Sequence, residues 1–520
     1  MTPMAQTSTT SSDGAPASPT ATTDGAATVD GSKASRALAP FATGPVLGIA
    51  AVAGASMLAF ATRYGYHRDE LYFIVAGEHP DAGYVDQPPL TPLVARAADA
   101  VFGHSLLGLR VLTAVLVILG VVATAALARE LGGRKVAQVL AAFTVAAAPL
   151  LRGHNVFFGT TGLDQLLWAA ALLAAARLLR TNDPRWWVPV GLALGVGLEN
   201  KSTIILLAVG LVAGVLVDRR WSLLRSGWFV AGVALAIAIW APNLLWNANH
   251  EWAAVAFGSE KHSHIGDVEM YAYFVFGQLL MAGITTIFVW LPGWRWLFAK
   301  KGPGRPFRAL GIACAVVTGI LFVIGAKYYY GGPVYFVLFA AGAVALERGA
   351  RQARVLATWM VAASIVLCAP VTMPLLPASD VNTVATFNRD YPEMVGWPEL
   401  AAQVRSAVAT LPDQARADAV VVAANYGEAG AIEHFAPELD VYSGHNNYWL
   451  WGPPPDTATS AILVGYGPEL AQRLCTDPQQ VATVANDAGL DNFEEGQAIW
   501  SCAHLRRPWS QTWESLKQDT

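Results

Sequence analysis

Eleven apolar runs constrain this chain more than any other feature. They fall at about 40–61, 106–128, 136–151, 163–179, 187–199, 202–217, 227–246, 271–297, 309–326, 333–347 and 353–371. A run near 20 residues is long enough to cross a bilayer as a helix, and the helix satisfies every backbone polar group internally. Composition agrees. Hydrophobic residues make up 54% and charged residues only 14%, whereas about a quarter of a soluble protein is charged. The mean hydropathy is +0.39. Most of the surface must therefore face lipid, and the expected fold is an α-helical polytopic membrane protein of about 11 transmembrane helices. The net charge of -4 and the lack of a basic stripe carry no nucleic-acid signature, and the lack of a phosphate-binding glycine motif fits a donor that is not a soluble nucleotide sugar.

Lys and Arg decide orientation, because they concentrate in cytoplasmic loops. They cluster in alternate loops: Arg129, Arg134 and Lys135; Arg180 and Arg185; Arg219, Arg220 and Arg225; Lys300, Lys301, Arg305 and Arg308; Arg348, Arg351 and Arg354. Reading 187–217 as one helix would invert every later loop. Two short spans around Glu199-Asn200-Lys201 keep all clusters inside, so two spans are expected. Residues 1–38 are mostly Ser, Thr, Ala, Gly and Pro. They predict a disordered cytoplasmic tail without a signal peptide. A plasma-membrane protein results, with the membrane domain at 39–372 and its first outer loop at 62–105.

After Pro374, Pro377 and Asp380 polar residues return, and 378–520 reads as a small extracytoplasmic α/β domain. Helical patterns at Glu399–Thr410, Tyr426–Phe435 and Pro468–Leu474 alternate with β-type runs at Ala419–Ala424 and Ala461–Val464. Cys314 and Cys368 lie in apolar runs. Cys475 and Cys502 lie where a disulfide is plausible, and the spacing leaves their pairing open.

The outer loops hold the chemistry. Tyr66-His67-Arg68-Asp69-Glu70-Leu71-Tyr72-Phe73 directly follows the first span, and Gly83-Tyr84-Val85-Asp86-Gln87-Pro88-Pro89-Leu90 follows in the same loop. Adjacent carboxylates at a membrane interface need cations, metal or water nearby. Asp69 and Glu70 point to different faces of a helix, so one of them aims into any cavity. Pro88-Pro89 fixes an extended turn that places Asp86. The plain alternative is a hydrated loop whose acids keep it out of the bilayer.

An Asp-Glu pair after the first span, followed by Gly-Tyr-x-Asp-x-Pro-Pro-Leu, resembles the polyprenyl-phosphate-sugar-dependent glycosyltransferases of the GT-C class. Relatives there include lipid A aminoarabinose transferases and protein O-mannosyltransferases. The resemblance spans roughly residues 40–370. It implies inverting transfer of a sugar from a lipid phosphate to a hydroxyl of an extracytoplasmic protein, glycan or lipid acceptor. Asp69 is then the general base with Glu70 second, and Lys327, Lys201 and Arg68 are the cations for the donor phosphate. Lys327 precedes Tyr328-Tyr329-Tyr330-Gly331-Gly332-Pro333, similar to a Lys/Arg-Tyr-Tyr-x-x-Pro element of that class. The same residues also suit an interfacial aromatic anchor with a snorkelling lysine.

Asp86, Tyr84, Asp164, Tyr329, His445 and Asn446 are expected at the cavity or acceptor. For Asp164 a helix-capping role competes, and for the 443–453 aromatics docking on the membrane surface does. His262 and His264, with Glu260 and Asp267, have too few ligands in fixed spacing to commit to a metal. No cofactor is assigned, and a divalent cation is left open. The rival reading is a polytopic transporter or flippase of lipid-linked or envelope substrates. That class carries charges at the bilayer midplane and often two similar halves; here the acids and lysines sit in loops.

Overall fold

A computed structural model describes residues 38–260 and 268–518, the side chains of 259 and 260 excepted. Most of the predicted N-terminal tail (1–37) and the loop residues His262, His264 and Asp267 lie outside the described residues. From Ala39 onward the chain forms one compact unit.

Every apolar run folds as helix, with differences in length. Among the described residues five helices are long and apolar enough to cross a bilayer: Leu106–Glu130, Thr160–Thr181, Gly227–Asn249, Arg305–Val323 and Arg351–Thr372. Two further runs are bent pairs. The expected single span 271–297 breaks at Gly283, where Val268–Ala282 and Ile284–Phe298 meet at 79°. Gly283 has φ 83°, a backbone state that glycine adopts freely and that ends a helix. Lys135–Ala147 likewise turns by 59° into Pro149–Asn155, as a proline after a helix dictates. Thr43–Leu58 and Ser202–Val217 are shorter apolar helices. The 12 residues of Trp187–Leu198 rise only about 18 Å.

The chain does turn back at Glu199–Lys201, as the charge pattern requires. Around the basic loops, Arg180 pairs with Glu130 at 2.7 Å, Arg305 with Asp218 at 2.5 Å, and the Arg134 N–H donates to Glu347 at 2.7 Å. These loops therefore meet at one pole. Lys201 lies at the other, where the Thr91 hydroxyl donates to Asn200 Oδ1 at 2.7 Å. Helix Gly227–Asn249 turns Val230, Val233, Ile237 and Leu245 outward, and Arg351–Thr372 does the same with Trp359, Val366 and Leu367. Exposed apolar stripes of that length match a lipid-facing surface.

The loop after the first helix (α1, Thr43–Leu58) carries two helices, α2 (Arg68–Glu78) and α3 (Leu90–Phe102), before α4 (Leu106–Glu130) re-enters the bundle. The C-terminal part builds a five-stranded sheet from β1 (Ala419–Ala423), β2 (Val441–Ser443), β3 (Ser460–Val464), β4 (Gln479–Thr483) and β5 (Ala498–Cys502). The order is β2-β1-β3-β5-β4, with β1 parallel to β2 and β3, and β5 antiparallel to β3 and β4. β1 is apolar throughout and β3 is apolar after Ser460, because helices and loops cover both faces. β4 and β5 carried no readable pattern, since Gln479, Gln480 and Thr483 leave β4 half polar.

A shared apolar core joins this domain to the loop. Leu71, Tyr72 and Phe73 of α2 share a hydrophobic core with Trp397, Leu400, Ala429 and Ile432. Gly430 makes that approach close: a Cβ there would sit 3.2 Å from the Leu71 backbone. Cys475 and Cys502 are joined, with Cα atoms 5.7 Å apart across 27 positions. Closing a loop of that size is worth about 3.5 kcal/mol in the chain-entropy description. Changing both cysteines to serine should lower the domain's resistance to unfolding by about that amount. A non-reducing peptide map of the wild type that finds the two peptides unlinked would remove the basis for this.

Candidate active site

Four successive residues at the start of α2 take four directions. His67 caps the helix: its Nδ1 accepts the Asp69 N–H at 3.1 Å, while Glu70 Oε2 accepts the His67 N–H at 2.8 Å. This capping box satisfies donors that a helix start leaves free. The His67 ring stacks on Phe157 at 3.9 Å, with Asp390 4.0 Å from its Nε2.

Glu70 is entirely buried. Arg110 clasps it through Nε at 3.2 Å and Nη2 at 2.8 Å, and the Phe158 N–H, at 2.8 Å, brings the bonds on this carboxylate to four with that from His67. Its oxygens are fully used in holding α2 to α4 and to the 156–158 turn. The structure thus places Glu70, expected as the second catalytic carboxylate, in a buried cluster with Arg110.

Arg68 is also committed. Its guanidinium lies 3.5 Å from Glu393 and 3.9 Å from Glu494, donates to Asn425 Oδ1 at 3.3 Å, and stands over the Tyr426 ring at 4.9 Å. Arg68, expected at the donor phosphate, is thus placed beside carboxyl groups of the C-terminal domain. Burial, then Glu494, pushes Glu393 up to about 8, because three buried carboxyls (Glu393, Glu428 and Glu494) share one guanidinium.

Asp69 alone of the four opens outward, with 36% of its side chain exposed. Its Oδ1 accepts the Tyr426 hydroxyl at 2.8 Å. Folding brings two distant lysines to the same place. Lys201 feels Asp164, Lys327 and Asp69 electrostatically. It donates to Thr161 Oγ1 at 3.4 Å and stands over the rings of Tyr330 at 4.6 Å and Tyr329 at 5.2 Å. Lys327 lies 5.9 Å from the Tyr329 ring, and His154 meets that ring at 5.0 Å. Burial, opposed by Asp164, pushes Lys201 down to about 8.

Local structure fixes Lys201 in place. Asn200 donates to the Thr160 carbonyl at 2.8 Å, and Leu90 N–H donates to the Glu199 carbonyl at 2.8 Å. Asp164, buried in the second turn of helix Thr160–Thr181 and so not its cap, accepts the Trp168 indole at 3.0 Å and faces Lys201.

On the other side of Asp69, Asp86 Oδ1 accepts the Tyr72 hydroxyl at 2.9 Å and Oδ2 the Asn446 amide at 3.4 Å. The His445 ring lies tilted against Tyr426, with centroids 5.1 Å apart. Tyr84, expected in the cavity, is fully buried; its hydroxyl donates to the carbonyls of Ala76 at 2.8 Å and His79 at 3.1 Å. It pins the end of α2, where unpaired carbonyls need donors.

Arg110, His67, Asp390, Tyr330 and Tyr426 belong to this constellation and carry no sequence signature as a group. Arg110 had one available sign: an arginine four residues into an apolar run requires an acid at the same depth. Among the described residues no group of three or more His, Cys, Asp or Glu side chains is placed to hold a metal ion.

The comparisons with known proteins agree with the resemblance to the GT-C class read from the sequence. Residues 86–246 match the family model described as dolichyl-phosphate-mannose-protein mannosyltransferase. The fold is shared with ArnT from Cupriavidus metallidurans. In its crystal structure bound to undecaprenyl phosphate the TM-score is 0.56 at 16% identity, covering 89% of this chain and 98% of that one. Its apo crystal structure gives 0.57 at 17%, with the same coverage. No curated protein matches the chain by sequence.

Proposed function

We propose that the chain is a glycosyltransferase that moves a sugar from a polyprenyl phosphate to a hydroxyl of an extracytoplasmic acceptor, with inversion. One observation carries the reading: two lysines from distant loops, Lys201 and Lys327, stand over the Tyr329 ring, and a solvent-reachable carboxylate, Asp69, lies within electrostatic reach of Lys201.

Each part has a role in a single displacement. Asp69 takes the acceptor hydroxyl's proton while that oxygen bonds to the anomeric carbon. The bond from that carbon to the phosphate oxygen breaks on the opposite face, which inverts the centre. Lys201 and Lys327 stabilise the charge that grows on the departing lipid phosphate. Tyr329 and Tyr330 offer apolar ring faces to the first isoprene units. Asp164 keeps Lys201 aimed, and Asp86, His445 and Asn446 line the acceptor side. Glu70 and Arg110 hold the loop. The disulfide supports an oxidising, extracytoplasmic location for this pole, with the basic loops cytoplasmic.

The lysine sets a pH limit. Lys201 loses its proton in the unliganded protein near pH 8, so its cation is present below that value and absent above it. Donor kcat/KM should therefore fall as pH rises through about 8, and Lys201→Arg, charged throughout, should flatten that fall. The sign for folding is opposite. Between about pH 8 and the unfolded value of 10.5 the unfolded chain binds the extra proton, so this group's contribution to stability rises with pH. A basic limb that is unchanged in Lys201→Arg would remove Lys201 from the phosphate site.

The test of the activity uses purified protein in lipid nanodiscs, a panel of polyprenyl-phosphate sugars and an envelope extract as acceptor source. Transfer of label that requires the lipid phosphate is the expected result. Accumulation of intact donor across a vesicle, without cleavage, would favour a transporter.

A further inference from the structure

Asp69 sits on α2, yet a direct partner of its carboxylate comes from the far end of the chain. The Tyr426 hydroxyl donates to Asp69 Oδ1 at 2.8 Å. The other oxygen, Oδ2, lies 3.9 Å from His67 Nδ1. That nitrogen already accepts the Asp69 N–H at 3.1 Å, so its lone pair is occupied and it has no proton to give Oδ2. One carboxylate oxygen is held; the other is left for a substrate.

Tyr426 is built to stay where it is. It is the first residue of helix Tyr426–Phe435, which begins with a second capping box. Asn425 Oδ1 accepts from Gly427 at 2.8 Å and Glu428 at 3.0 Å, and Glu428 Oε2 accepts from Asn425 at 3.2 Å. At Gly427 a Cβ would stand 3.0 Å from Arg68 Cβ, so glycine permits the two helix starts to meet. The Tyr426 ring is packed by Arg68 at 4.9 Å, Tyr72 at 4.9 Å and His445 at 5.1 Å. Burial holds its phenol well above the usual range, so it remains a donor at any working pH.

We infer that Tyr426 is a positioning residue: the C-terminal domain uses its hydroxyl to hold Asp69 in the rotamer that presents Oδ2 to the acceptor. The inference rests on Asp69 being the general base. It makes the domain part of the catalytic machinery, where a domain that only captured the acceptor would affect KM alone. A carboxylate free to rotate spends less time in line with the attacking hydroxyl, and misplacement of that kind lowers turnover without weakening binding.

The experiment compares wild type, Tyr426→Phe and Asp69→Asn in the full-length protein, with kcat and KM for both substrates and the thermal midpoint. Phenylalanine keeps the ring and its packing and removes only the donor. The expected result is a kcat roughly tenfold to a hundredfold lower, with both KM values within about twofold and the midpoint unmoved. Wild-type kcat in Tyr426→Phe beside an inactive Asp69→Asn overturns this inference and leaves the base assignment standing. Undiminished transfer by Asp69→Asn overturns the base assignment and this inference with it. A fall in kcat accompanied by a lower midpoint assigns the hydroxyl to domain docking and also overturns the proposal. Should Tyr426→Phe not fold, 3-fluorotyrosine at 426 keeps the hydroxyl but makes it more acidic. That stronger donor should weaken the base and lower kcat at constant KM, and an unchanged kcat overturns the inference.

Discussion

Asp69→Asn should lower kcat by roughly 10²–10⁴-fold, the usual contribution of a positioned general base. In free energy this is about 3–5 kcal/mol of barrier. The substitution is close to silent structurally. Asn Oδ1 still accepts the Tyr426 hydroxyl, and the backbone N–H that His67 Nδ1 receives is untouched. What disappears is the ability to take a proton at the exposed oxygen. Donor KM should stay within about twofold, since the proposal gives the phosphate to Lys201 and Lys327. Initial rates with a labelled lipid-phosphate sugar, alongside a thermal melt of each protein, make the measurement. A variant that melts normally and transfers at the wild-type rate would leave the reaction without its base.

Arg110→Ala should act on the fold, by about 3–5 kcal/mol. Glu70 has no solvent exposure, and Arg110 has 1%. Two guanidinium nitrogens hold the carboxylate, and Nη2 also donates to the Gly65 carbonyl at 2.8 Å while Nη1 donates to that of Ala61. Alanine would strand a buried charge and two carbonyls in one step. The expected phenotype is loss of monodisperse protein after detergent extraction, with whatever remains melting at a much lower temperature. Glu70→Gln should be milder, because a neutral amide oxygen can still accept from Arg110 and Phe158. The contrast separates neighbours: position 69 governs turnover, position 70 governs folding. An Arg110→Ala protein that is as stable as wild type would mean the ion pair does not fasten the loop.

Much of the framework was legible because hydrophobicity and charge are local signals. Apolar runs gave helix positions, and the Lys/Arg alternation resolved the Glu199–Lys201 turn that hydropathy alone left ambiguous. The break at Gly283 was not legible, since one glycine within a long apolar run does not reveal whether the helix passes through it. In the C-terminal domain the two apolar strands could be read, whereas β4 and β5 are defined by pairing across distance. Asp69, Lys201, Lys327 and Tyr329 were nameable one at a time, from residue type, loop position and family resemblance.

What could not be read was the division of labour among neighbours. Arg68 and Glu70 look as catalytic as Asp69 in a string of letters. Only the positions of Glu393, Glu494 and Arg110, between 40 and 426 residues away, show which charges are already neutralised. The same holds for Tyr426, which reads as the start of a capped helix and acquires its meaning from the carboxylate that the fold puts beneath it.

Product stereochemistry tests the central claim most directly. Purified protein is given a polyprenyl-phosphate sugar labelled with ¹³C at the anomeric carbon, and the product linkage is read by NMR. The account predicts a glycoside of configuration opposite to the donor's, formed by wild type and not by Asp69→Asn. Retained configuration would contradict a single displacement driven by Asp69 across from a lysine-held phosphate.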